Sequence, residues 1–226
     1  MDRYIMKNSW YKVKKDTQLG RSMIEMLGVL SIIGVLSVGG ITAFAKMLDR
    51  YKINQTQIQI NTISAKLSAI GSENSSFNGL DNKAAIKFGA VPNEAVTNAG
   101  TGSLTNLYNG AITIETASIE KDSSDNMAYT ITYNGLSRDA CVALASNDWG
   151  GEKTSLIGMG VSAAAEQAQA IKEAIYQGCD GEKGVGDKYV VACARGKTIG
   201  VPMAPVTAGA ACQCASNTCM AILKFF

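Results

Sequence analysis

The sequence contains no histidine, and that absence excludes more than any single motif adds. Without an imidazole there is no Ser-His or Cys-His nucleophile, no histidine general base and no His-rich metal centre, which removes most hydrolase chemistry. The acidic residues are scattered among loop-like stretches, so no carboxylate pair stands out for acid or base work. The chain is therefore expected not to be an enzyme; no catalytic residue is nominated, and no cofactor or metal is expected. Proline is scarce, at 3, and charged residues make up only 18% of the chain. A net charge of +2 is too small to point to nucleic acid. Even that excess sits at the N-terminus, where Arg3, Lys7, Lys12, Lys14 and Lys15 outnumber Asp2 and Asp16.

What is present is an apolar run near the N-terminus and a set of cysteines far from it. A chain of 226 residues is long enough for one good-sized domain plus a segment that serves something other than its core. All six cysteines (Cys141, Cys179, Cys193, Cys212, Cys214 and Cys219) fall in the C-terminal part. An even number confined to the region beyond an apolar segment reads as disulfides formed in an oxidising compartment. A zinc site would have to be almost wholly thiolate, and the one close spacing, Cys212-Gln213-Cys214, lacks the two-residue gap of zinc loops.

From Met26 to Ala45 twenty residues pass without a charge, MLGVLSIIGVLSVGGITAFA. As a helix with about 1.5 Å rise per residue, such a run matches the roughly 30 Å of a bilayer's hydrocarbon core. The basic flank before it places the N-terminus in the cytoplasm and the remainder outside. Three readings compete. A secretory signal peptide has Ala43-Phe44-Ala45 as a small-x-small cleavage site, but its core would be too long and its lead-in too extended. An uncleaved anchor explains the length but not the residues on its cytoplasmic edge.

Those residues, Leu19-Gly20-Arg21-Ser22-Met23-Ile24-Glu25-Met26-Leu27, resemble the type IV prepilin family. The resemblance implies cleavage by a prepilin peptidase after Gly20, N-methylation of Arg21 as the first mature residue, and a role for Glu25 in filament register and assembly. Arg21 departs from the family pattern, which has Phe, Met or Leu there. Judged without the family, a carboxylate placed well inside a membrane helix costs a few kcal/mol on insertion scales, so such a residue usually has a partner or a function. Interface snorkelling beside Arg21 is the plainer alternative. Gly28, Gly34, Gly39 and Gly40 suit close helix approach in a membrane or filament core, and Gly39-Gly40 is the place where the helix would bend.

Beyond Ala45 the apolar residues Leu48, Tyr51, Ile60, Ile63, Leu67 and Ile70 recur at three- and four-residue intervals for much of the stretch, which predicts that the helix continues to about Ile70 and stops at Gly71. In the remainder, Ala111–Glu115 and Ala128–Tyr133 read as a hairpin around a polar turn. Ser137 is a plausible N-cap for a short helix carrying Cys141, and Ser162 for a second helix ending at Gly178. Tyr189 to Ala194 and Cys219 to Phe226 are the remaining strand candidates.

The run ITYNGLSRDACVALASNDWG, residues 131–150, also resembles type IVb pilins of the thin-pilus and toxin-coregulated-pilus sort. That resemblance implies an α+β pilin fold, in which a long N-terminal helix with a transmembrane and an amphipathic half packs on a head with an antiparallel sheet. The expected organisation is a leader over 1–20, a membrane or filament-core half over 21–45, an amphipathic half over 46–71 and a disulfide-bonded head over 72–226. It further implies that Cys141 bonds to Cys212 or Cys214. Cys179 and Cys193 flank a Gly-rich turn and could bridge locally, leaving Cys219 for the remaining cysteine. The implied function is that of a pilus subunit precursor that self-associates into a filament after residence in the inner membrane. Its partners would be the peptidase and, indirectly, an assembly ATPase with its inner-membrane platform, and the pilus would be extracellular. A minor pilin or pseudopilin and a membrane-anchored periplasmic binding domain are the alternatives.

Overall fold

A computed structural model of the chain describes residues 23–74, 76–150, 155–184, 186 and 188–226. It divides into an N-terminal unit ending at Lys46 and a compact unit over Met47–Phe226. Helix α1 spans Met23–Asn74.

In the compact unit, an eight-stranded antiparallel sheet forms from β1 (Val96–Asn98), β2 (Ser103–Thr105), β3 (Ala111–Ala117), β4 (Ala128–Leu136), β5 (Leu156–Ser162), β6 (Glu182–Lys183), β7 (Tyr189–Cys193) and β8 (Cys219–Phe225). The spatial order is β1-β2-β3-β4-β8-β5-β7-β6, so the last strand of the chain lies in the middle, between β4 and β5. Strands β3 and β4 form the expected hairpin, with Ile112 opposite Tyr133 and Ala117 opposite Ala128. Its turn is closed by Asp125, whose carboxylate accepts hydrogen bonds from the Ile119 and Met127 amides and the Ser123 hydroxyl.

Side chains alternate across the sheet as the pleat requires. On one face Tyr129, Ile131 and Tyr133 of β4 and Ala221, Leu223 and Phe225 of β8 pack with Ile60, Ile63 and Leu67 of α1. The buried α1 positions are Thr56, Gln59, Ile60, Ile63, Leu67 and Gly71, a stripe that returns every three or four residues. Leu48 and Tyr51, expected in the same stripe, are exposed instead, because the packed stretch begins only around Ile53. Polar contacts fix the register of helix on sheet: the Tyr133 hydroxyl donates to Gln59 Oε1 (2.9 Å), and the Tyr129 hydroxyl donates to the Ser64 carbonyl (3.0 Å) and lies 3.0 Å from Ser68 Oγ. Lys66 Nζ donates to the Gly89 carbonyl.

Helix α1 does not stop at Gly71. A Cβ there would collide with the ring of Phe77, which itself lies tilted on Tyr129 at 4.7 Å between centroids. The glycine thus serves close approach of an aromatic ring, not a left-handed helix terminus.

Four short α-helices follow among the described residues: α2 (Asn82–Lys87), α3 (Arg138–Ala145), α4 (Ala168–Ala174) and α5 (Pro205–Ala211). Ser137 caps α3, accepting from the Ala140 amide. Ser162 does not cap α4. It ends β5, where its hydroxyl donates to the Lys188 carbonyl and accepts from the Ala164 amide, and α4 starts six residues later, after a turn of 3₁₀ helix. Helix α4 covers the second face of the sheet, where Ile171 and Ile175 meet Ile157, Val191, Met220 and Ile222. Gly160 of β5 permits this, since a Cβ there would overlap Ile171 Cγ2, while a Cβ on Gly158 would overlap the Ala192 carbonyl oxygen of the neighbouring β7.

Candidate functional site

Two features of the molecule are candidates for function, the apolar start of α1 and the cysteine framework of the head. In the first, Met23, Ile24, Leu27, Leu30, Val35 and Leu36 are all more than half exposed. This helix is long and apolar enough to cross a membrane. The hydroxyls of its apolar part bond back to the helix itself. Ser31 Oγ donates to the Gly28 carbonyl (2.8 Å), Ser37 Oγ to Ile33 (2.7 Å) and Thr42 Oγ1 to Gly39 (2.9 Å). Hydroxyls bonded back to their own helix present little unpaired polarity to an apolar surround. Around Gly28, Gly34, Gly39 and Gly40 an added Cβ would meet nothing within 4 Å, so nothing in the chain itself requires their smallness. The helix is continuous through Gly39-Gly40.

Glu25 lies in the first turn of α1 and is exposed. Among the described residues it makes no ion pair or hydrogen bond. The acid is favourably placed against the helix dipole. The leader over 1–20, including Gly20, and Arg21 lie outside the described residues.

In the head all six cysteines are paired: Cys141 with Cys212, Cys179 with Cys193, and Cys214 with Cys219. The first bridge ties α3 to the end of α5, across 71 residues of sequence. The second closes the turn that carries β6, and the third staples the entry to β8. The sulfurs of Cys141, Cys212 and Cys219 lie within 4.8 Å of one another, so two bridges stack inside the core against α3. With each sulfur already bonded, no thiolate of this trio is available to a metal ion.

Burial also sets the protonation of the core tyrosines. Desolvation raises the pKa of Tyr129 and Tyr133 well above the ordinary phenol value. Tyr108 is pushed up to about 12, by desolvation first and the charge of Asp49 second. Burial lowers that of Lys224, opposed by the charge of Asp125.

Taken together, the chain has a disulfide-bonded α+β head with an antiparallel sheet and a long N-terminal helix whose first half is apolar and uncovered. The chain belongs to the PilS N-terminal family, whose model matches residues 50–201, more than half of its length. The matched span begins after the apolar half of α1 and includes residues 131–150. No curated protein matches the chain. Among solved structures it is similar to TcpA, a type IV pilin from Vibrio cholerae El Tor biotype, at 13% identity and a TM-score of 0.49, over 78% of this chain and 99% of that one. It is also similar to the type IVb pilin from Salmonella typhi, at 16% identity and a TM-score of 0.43, over 74% of this chain and 97% of that one.

Proposed function

We propose that the chain is the precursor of a structural subunit of a type IVb-like pilus. The observation that carries this reading is the start of α1: an uncharged, exposed helical surface with internally bonded hydroxyls, glycines that face nothing, and one acid in its first turn. Such a surface needs an apolar partner, which is lipid before assembly and the helices of other copies afterwards. In this reading residues 1–20 are a leader cut after Gly20, and Arg21 begins the mature subunit and is methylated. Residues 21–45 form the membrane and filament-core half of the helix, 46–71 its head-packed half and 72–226 the head.

Glu25 then meets the amino terminus of a neighbouring subunit, an opposite charge that offsets its desolvation and sets the axial register. The peptidase, an assembly ATPase and an inner-membrane platform are its processing and assembly partners, and the subunit itself carries no enzymatic role. The precursor resides in the inner membrane of a Gram-negative cell and the product in an extracellular filament used for adhesion, aggregation or conjugation-type contact.

The test is Glu25→Ala. The variant is expected to be processed, to form its three disulfides and to unfold at the wild-type midpoint, yet to yield no sheared filaments. Normal filaments from this variant would overturn the role of Glu25, and unchanged filaments from a variant with charges placed at Gly34 and Val38 would overturn the subunit reading itself.

A further inference from the structure

The second face of the sheet is only partly covered. Helix α4 shields β5, β7 and half of β8, and a polar row lies beside it: Glu115 of β3, Thr130 of β4 and Lys224 of β8 are paired in register across three strands. Lys224 stands out. It is 4% exposed on the central strand, and the one hydrogen bond its Nζ makes among the described residues is to the Ile175 carbonyl at the end of α4, at 2.6 Å. The plain role of that bond is to cap α4, as a cation near a helix C-terminus does. An ammonium carries three donors, so the cap leaves two.

Lys224 is also among the residues that line a cleft of about 330 Å³. Its helical wall is Gln169, Lys172, Glu173 and Tyr176, and its loop wall runs from Ser118 to Ser123. Its volume lies at the lower end of small-molecule sites, roughly 300–1,000 Å³. The chemistry of the lining is selective. Carboxylates of Glu115, Glu120, Asp122 and Glu173 alternate with the ammonium groups of Lys121, Lys172 and Lys224. Lys172 is held by Glu115 at 2.6 Å, and Lys121 sits over the Tyr176 ring at 5.5 Å. Neither sign dominates, so an anion meets four carboxylates and a cation meets three ammonium groups. A neutral ligand rich in hydroxyls meets no such opposition, since each hydroxyl can donate to a carboxylate and accept from an ammonium or amide.

We propose that the cleft between α4 and the β3-β4-β8 face is a binding site for a neutral saccharide unit, with Lys224 as donor at its base and Glu173 as acceptor on its helical wall. Gln169 Nε2 donates to Glu173 Oε1 at 2.7 Å and holds that carboxylate in place. The site lies wholly within the head and does not depend on filament formation.

The test is an NMR titration of the full chain in detergent micelles with methyl glucoside, methyl galactoside and methyl mannoside, with galacturonate as the anionic control. At least one neutral glycoside is expected to shift the amides of Thr130, Glu173 and Lys224 saturably, with Lys224→Met and Glu173→Gln each weakening it about tenfold. Glu173 is exposed, so its variant tests the site without disturbing the core. No saturable shift with any neutral glycoside, binding of galacturonate alone, or wild-type affinity in both variants would overturn the proposal.

Discussion

Replacing both Cys141 and Cys212 by Ala removes the bridge that closes 71 residues, the longest of the three loops. The other two close 14 and 5 residues. In the chain-entropy model these separations correspond to about 4.4, 3.0 and 2.1 kcal/mol of lost denatured-state freedom. Packing reinforces the ranking: Cys141 and Cys212 are both fully buried and touch the neighbouring bridge, whereas Cys214 is only half-buried. Urea unfolding of the full chain in detergent micelles, followed by tyrosine fluorescence and far-UV circular dichroism, reads the effect. The Cys141/Cys212 double variant should lose the most stability and also show a larger m-value, because its denatured state is released from the long loop and expands. The Cys214/Cys219 pair should lose the least. A Cys214/Cys219 variant that loses as much as the Cys141/Cys212 one, or an unchanged m-value for the latter, would refute the loop-closure reasoning.

Burial of Tyr129 and Tyr133 makes the head sensitive to alkali. Their folded pKa values exceed the unfolded value of about 10, so above that pH the unfolded chain binds fewer protons than the folded one and stability falls. A melting-temperature profile should be flat in this respect below pH ~9 and decline above pH ~10, with the decline reduced in Tyr133→Phe. Gly160→Ala drives a methyl into Ile171 and should cost about 1–3 kcal/mol of head stability, whereas Gly34→Ala, with open space around it, should leave the unfolding midpoint unchanged. The half-buried Glu115–Lys172 ion pair, still reached by solvent, should matter little: Lys172→Ala is expected to shift stability by about 1 kcal/mol or less in a salt-dependent manner.

Legibility of the fold followed the strength of local pattern. Strands β3, β4 and β8 announce themselves through β-branched and aromatic residues, and Ser137 announces α3 by its place just before a helical run. Strand β5 was not legible. Its LIGMGVS sequence carries two glycines, which weaken a strand pattern; Gly160 makes room for α4 and Gly158 for the β7 backbone, tertiary demands with no local signature. Gly71 misled in the same way, as a helix stop that is in fact room for Phe77. Helix α5, rich in Ala and opened by Pro205, and the two-residue strand β6 gave no usable periodicity. Leu48 and Tyr51 fit the helical period but precede the packed stretch, because spacing shows a stripe and not where its cover begins.

At the site, the apolar run was legible from charge and length alone, whereas Glu25 was singled out through the resemblance of its flanking residues. The choice between Cys212 and Cys214 for Cys141 was not legible, since both lie at the same junction and only the placement of α5 brings Cys212 to α3. The polar cleft beside α4 had no linear signature either. Glu115, Thr130 and Lys224 are far apart in sequence and become a row only when β8 inserts beside β4.

The most direct test of the account is the N-terminal residue of the protein recovered from cells, read by mass spectrometry of the intact chain and its first peptide. A start at Arg21 keeps the whole apolar half of α1 on the head and is the result the account predicts. A start at Lys46 would make that half a discarded signal, leave the head without its filament-forming helix and contradict the central claim.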